Sequence, residues 1–166
     1  MKKLTLLLFS LTILLTACEA EGPQGPPGPP GQDGVYFVGQ SFERVIDFTP
    51  NNNFQATVEI PLSIELYESD MVLVYRFIGQ VDGYDVWKLL PETIYTNSGE
   101  FQYNFEHNFD FVTIFMDFSS TFDFNDLFLS DTLDQIFRIV VLPVDFVNNI
   151  DLDVSNYNAV MEFVEQ

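Results

Sequence analysis

The chain has 166 residues, a length that suits one domain, and it carries 25 acidic side chains against 6 basic ones. The formal charge of -19 excludes nucleic acid as a partner, because phosphate binding needs clustered Lys and Arg. One Cys rules out an internal disulfide and one His argues against a His-based metal or triad site, while 47% apolar content supplies a core that a disordered acidic chain lacks.

Lys2 and Lys3 precede an apolar run from Leu4 to Leu15, then Thr16, Ala17 and Cys18. A basic start, a short apolar stretch and small residues before a cleavage point make a secretory signal. The run falls short of the ~20 apolar residues that cross a bilayer. Leu15-Thr16-Ala17-Cys18 resembles the lipobox of bacterial lipoproteins. That resemblance implies acylation of Cys18, removal of residues 1–17 and a membrane contact made through the lipid anchor. The mature chain would keep 149 residues, with Arg44, Arg76, Lys88 and Arg138 as its only bases and a formal charge of -21. So anionic a domain is repelled by an anionic lipid surface within a Debye length of ~8 Å. Glu19 and Glu21 resemble the acidic export signal of some Bacteroidota lipoproteins, which implies an outer-membrane protein displayed on the cell surface.

Residues 18–34 read as a linker. Glycines recur at 22, 25, 28, 31 and 34 with prolines between them, the collagen pattern in which only Gly fits the triple-helix axis. So few triplets offer few interchain hydrogen bonds against the entropy of ordering three chains. The favoured expectation is a polyproline II stalk of roughly 40 Å at ~3.1 Å per residue. The alternative is a homotrimer, with further contacts supplied by the domain that follows.

Residues 35–166 alternate repeatedly between apolar and polar, which predicts an all-β domain, an antiparallel β-sandwich of about eight strands with one or two short helices. Phe54 to Leu62 is apolar at every even position and Phe101 to Phe109 is apolar or aromatic at nearly every odd one. Further strands are expected at 35–40, 42–48, 71–78, 85–90, 111–118 and 136–142. The last is apolar almost throughout, which predicts a central strand covered on both faces. Turns are expected at Asn51-Asn52-Asn53, Asp82-Gly83 and Asn97-Ser98-Gly99. A closed barrel stays open as an alternative. Short helices are expected behind Asp123, where Phe124, Leu127 and Phe128 follow helical spacing, and over about 156–164 behind Ser155.

The overall arrangement resembles a group of small collagen-like Bacteroidota lipoproteins with a lipobox, a few Gly-Pro-Pro triplets and a β-rich domain. Asp85-Val86-Trp87-Lys88-Leu89-Leu90-Pro91 and Phe137-Arg138-Ile139-Val140-Val141-Leu142-Pro143 look like recurring features of that group. The resemblance implies location and architecture and brings no activity with it.

Chemistry-bearing motifs are sparse. The sequence has no GxSxG elbow, P-loop, CxxC or HExxH, and an enzyme is not expected. His107 sits on the apolar side of its strand and reads as a half-buried sheet histidine rather than a base. Calcium is the best cofactor candidate, at Asp151, Asp153, Ser155 and Glu162, although Asn156 stands where an EF-hand loop needs Gly. The acidic stretch from Asp123 to Asp134 is a weaker candidate. Tyr84, Trp87 and Tyr95 could stack on sugar rings if exposed, but Trp87 alternates with Leu89 and should pack one face in the core. Two functions stay open: an anchored module that binds a glycan or protein ligand, and a structural spacer that assembles through the triplets.

Overall fold

The computed structural model describes residues 39–143 and 152–164. Cys18, the glycine triplets, most of the strand expected at 35–40 and Asp151 lie outside the described residues.

Eight strands form two antiparallel four-stranded sheets. They are β1 (Gln40–Ile46), β2 (Gln55–Glu59), β3 (Met71–Val81), β4 (Tyr84–Leu89), β5 (Glu92–Thr96), β6 (Gly99–His107), β7 (Phe111–Phe118) and β8 (Gln135–Leu142). Sheet 1 has the order β1-β8-β3-β4 and sheet 2 the order β2-β7-β6-β5. Neither sheet is closed on itself or on the other, so the expected sandwich holds and the barrel does not.

The space between the sheets is filled by alternate residues, as period-2 patterning requires. Sheet 1 contributes Ile46, Val72, Val74, Phe137, Ile139 and Val141, and sheet 2 contributes Val58, Phe101, Tyr103, Val112, Ile114 and Met116. Phe48 is wedged between Tyr103 and Phe137, with ring centroids 5.9 Å from each. Such offset and edge-on contacts add to simple burial.

A second apolar layer lies on the far side of sheet 1. Leu73, Tyr75, Val140 and Leu142 point away from the inter-sheet core and are covered by residues 152–164, chiefly Val160 and Val164. β8 is therefore buried on both faces over its second half, as its unbroken apolar run predicts. Tyr75 Oη donates to the Val154 carbonyl at 2.7 Å, tying the covering segment to the sheet. At the other end of that segment the Gly39 N–H donates to the Phe163 carbonyl at 2.8 Å. A side chain at Gly39 would collide with Leu142 and crowd two carbonyls, so close approach is the reason for glycine there.

Several boundaries differ from those the sequence predicts. The strand expected at 42–48 is β1, which starts two residues earlier at Gln40 and ends at Ile46. β2 stops at Glu59, before Pro61, whose missing N–H cannot continue a ladder, and Leu62 is 98% exposed. β5 was not expected. The chain crosses from sheet 1 to sheet 2 at Leu90-Pro91, so residues 80–95 belong to two hairpins, β3–β4 and β5–β6. The turn at Asp82-Gly83 has both residues at positive φ, 52° and 84°, the geometry a two-residue hairpin favours. Behind Asp123 lies a single 3-10 turn, Phe124–Asp126, followed by the one-turn helix α1 (Leu129–Thr132). The C-terminal helix α2 spans Tyr157–Met161, and its cap is Asn156 rather than Ser155, with Oδ1 accepting from the Ala159 N–H at 3.2 Å.

Candidate functional site

The two ends of the sandwich differ. Chain entry at Gly39 marks one of them, because Gln40 is paired with Val141 while Ile46, the last residue of β1, is paired with Gln135. The seven residues of β1 separate these ends by roughly 20 Å at ~3.4 Å per residue. Beyond Ile46, the Phe48 N–H donates to the Thr132 carbonyl at 2.7 Å, which places α1 at the end away from Gly39.

That far end is aromatic. Phe54, Phe101, Phe118, Phe122 and Phe124 form a continuous ring cluster with centroids 4.8–6.1 Å apart. Phe54 reaches it because Asn53 and Phe54 both adopt positive φ after the 3-10 turn Pro50–Asn52, reversing the chain into β2. Phe124 stacks on Phe54 yet leaves half its surface in water.

Beside this cluster is a depression of about 370 Å³, lined by Ile94, Tyr95, Thr96 and Asn97 from the end of β5 and by Asp126, Phe128 and Asp131 from the connection to β8. Its volume is at the low end of the ~300–1,000 Å³ of ligand clefts. Tyr95 is 78% exposed and Phe128 65% exposed. Both residues are held by short-range structure. Tyr95 pairs with Glu100 across the β5–β6 hairpin, and Gly99 takes a φ of 143° where a side chain would strike Ser119 Oγ. The Phe128 N–H donates to Asp131 Oδ2 at 3.1 Å, and the Asp131 carbonyl accepts from buried Tyr103 Oη at 2.5 Å. Burial pushes the Tyr103 phenol above its ordinary value of 10, keeping it a neutral donor to that carbonyl.

Charge is unevenly divided. Arg44, Arg76, Lys88 and Arg138 all belong to sheet 1, while no Lys or Arg occurs from residue 89 to 137 or in β2. Each of the four is engaged. Arg76 Nε donates to Glu92 Oε2 at 2.8 Å, its Nη1 donates to Gln135 Oε1 at 3.1 Å, and its guanidinium lies 4.5 Å from the Tyr103 ring centroid. Lys88 approaches the other oxygen of Glu92 at 3.5 Å. Arg138 pairs with Glu43 and covers the Trp87 ring at 4.3 Å. Arg44 lies over Phe42 and donates to the Glu43 carbonyl.

The aromatic residues singled out in the sequence do not form one platform. Trp87 packs on the outer layer of sheet 1, between Phe77 and Tyr157 and beneath Arg138, not in the inter-sheet core. Tyr84 is exposed on β4 in sheet 1, and Tyr95 is exposed on β5 in sheet 2. Phe128 was read as a helix-face residue; instead α1 begins one residue later and leaves its ring outside, which no periodicity could have signalled.

His107 is exposed, not half-buried, because β6 continues past the edge of the core: Phe101 and Tyr103 are buried, Phe105 is partly so, and His107 and Phe109 lie in water. It lines a smaller depression of about 290 Å³ with Leu66, Tyr67, Glu68, Asp70 and Phe109. In the calcium candidate, Asp153 Oδ1 accepts both the Ser155 N–H at 3.0 Å and Ser155 Oγ–H at 2.6 Å. These bonds hold the Asp153 carboxyl below its usual range. Glu162 follows the last turn of α2. In the Asp123–Asp134 stretch, Asp123 Oδ1 is likewise turned onto the Asn125 N–H and side-chain amide at 2.9 and 2.8 Å. Among the described residues, no three His, Cys, Asp or Glu side chains converge as metal ligands, and no helix is long and apolar enough to cross a membrane.

No protein-family model, curated protein or solved structure matches this chain.

Proposed function

We propose that the chain is a lipid-anchored protein of the bacterial outer membrane whose β-sandwich acts as an interaction module on the cell surface. The reading rests on the lipobox-like Leu15-Thr16-Ala17-Cys18, the acidic residues that follow it and the glycine-proline linker. The observation that carries the interaction role is the exposed depression around Tyr95 and Phe128, at the end of the sandwich opposite Gly39. Exposed rings on a hydrogen-bonded backbone are ready contact surface, because that backbone is already ordered and an aromatic side chain has only two torsions to fix on binding.

The test is digestion of intact cells with an added protease, using a known periplasmic protein as control. Loss of the domain while the control survives is expected. Protection of the domain in intact cells, with digestion only after lysis, would place it in the periplasm and overturn surface display. Replacing Cys18 with Ala is expected to move the protein from the membrane fraction to the soluble one.

A further inference from the structure

The depression at the far end combines two features that select a class of ligand. Tyr95 and Phe128 offer exposed ring faces, whose negative quadrupole attracts a cation. Asp126 and Asp131 bring two carboxylates to the same rim, and among the described residues the Asp126 side chain makes no hydrogen bond or ion pair. Among the described residues, the base nearest this end is Arg76, and it is committed to Glu92 and Gln135. The nearest in sequence are Lys88 and Arg138, and both are already committed to Glu92 and Glu43 in sheet 1. Glu100, Asp117 and Asp123 add further negative charge to the hairpin and connections at this end, with no Lys or Arg between residues 89 and 137. Field lines from such a one-signed surface raise the local concentration of cationic partners and repel anionic ones.

We propose that the depression receives a Lys or Arg side chain from a basic segment of a partner protein, the ring faces of Tyr95 and Phe128 flanking it and Asp126 and Asp131 taking its charge. The proposal rests on the interaction-module reading and names the chemistry of its ligand. A second copy of this chain is a poor donor, because all four of its mature bases are engaged in sheet 1.

The test measures binding of a flexible Lys-Gly-Ser repeat peptide to the full-length protein in neutral detergent micelles. Comparison probes are the same peptide with every lysine acetylated, and a neutral oligosaccharide of N-acetylglucosamine. Tyr95→Ala and Asp126→Asn are each expected to weaken binding of the lysine peptide by about five- to tenfold. Asp82→Asn, which removes one charge at the β3–β4 turn, should change it less than about twofold. Acetylation should abolish binding, and salt at about 1 M, where the Debye length is ~3 Å, should weaken it strongly. Equal losses from Asp126→Asn and Asp82→Asn would reveal unspecific attraction to an acidic surface and overturn the proposal. Oligosaccharide binding that depends on Tyr95, without peptide binding, would overturn it too while leaving the module reading intact. Failure of both probes would also overturn it, and digestion of intact cells decides separately whether the module reading survives.

Discussion

The two sheets bury similar cores between them but treat their outer faces in opposite ways. Sheet 1 is apolar on both sides over the half nearer Gly39: Leu73, Tyr75, Val140 and Leu142 face a covering segment that supplies Val160 and Val164. Sheet 2 turns Thr57, Thr113, Gln102, Thr93 and Asn104 to water, linked by side-chain hydrogen bonds such as Thr57 Oγ1 to Thr113 Oγ1 at 3.0 Å. Sheet 1 also holds all four Lys and Arg side chains of the described residues, and sheet 2 none. One sheet is thus a scaffold covered on both faces beneath the C-terminal segment, and the other carries a wet face and the exposed aromatic end. The contrast explains why the candidate binding surface is built from β5 and the connection leading into β8, not from the more apolar sheet.

The largest expected effect lies where the two sheets are bolted together by charge. Glu92 begins sheet 2, is only 4% exposed, and is held by Arg76 from sheet 1. Arg76→Met would leave a buried carboxylate with only the 3.5 Å approach of Lys88, and should cost about 3–5 kcal/mol in urea unfolding. Arg76→Met combined with Glu92→Leu should recover most of that loss, because no uncompensated charge remains. A double variant as unstable as the single one would show that the pair contributes through geometry rather than through charge.

Next is the covered face. Leu142→Ala on the outer side of sheet 1 should cost about 2–5 kcal/mol, since the side chain is fully buried beneath the C-terminal segment. Phe115→Ala, on the outer side of sheet 2, should cost less despite removing a larger group, because it is only partly buried. Thermal and urea unfolding of the two variants side by side would break the contrast if the order were reversed.

Alkaline pH probes both sheets through one buried phenol each. Tyr75 donates to Val154 on the outer side of sheet 1, and Tyr103 donates to Asp131 on the inner side of sheet 2. Burial raises both above the ordinary value of 10. The unfolded chain therefore releases these protons near pH 10 while the folded chain keeps them. Stability contributed by the neutral phenols is intact below that pH and falls as the pH rises past it. Each tyrosine should add a slope of about 1.4 kcal/mol per pH unit. Urea unfolding between pH 8 and pH 11 should show the fall, and Tyr75→Phe should remove about half of its slope.

What the sequence disclosed follows the same division. Strict alternation at 54–60 and 101–105 and the unbroken apolar run of β8 each reported correctly how many faces were covered. Turn chemistry located Asp82-Gly83 and Asn97-Ser98-Gly99, where Asp82, Gly83 and Gly99 take positive φ. β5 escaped notice because its first residue, Glu92, reads as a surface acid, and it is Arg76, 16 positions away in sequence, with Lys88 beside it, that makes its burial tolerable. Phe109 and His107 continued a stripe that the core does not follow, since alternation records which side a residue faces but not where the opposing sheet ends. Tyr95 was legible as a candidate. Asp126 and Asp131 fell within the acidic stretch read as a weak calcium candidate and Phe128 within an expected helix, but their meeting with Tyr95 was not legible, because irregular turns with no period to read bring them to β5.

The finest test compares a buried and a wet position at the same level of the pattern. Val140 and Thr113 both point outward, Val140 from sheet 1 beneath the C-terminal segment and Thr113 from sheet 2 into solvent. Val140→Thr would bury a hydroxyl among Leu73, Leu142 and Val160, and should cost about 1–3 kcal/mol unless that hydroxyl finds a backbone acceptor. Thr113→Val exchanges the same two side chains in reverse, leaves the Thr57 hydroxyl to water, and should stay within about 0.5 kcal/mol. Urea midpoints suffice to resolve the difference. Equal effects would mean that the covering segment opens readily enough for water to reach Val140, making sheet 1 as wet as sheet 2 on the timescale of unfolding.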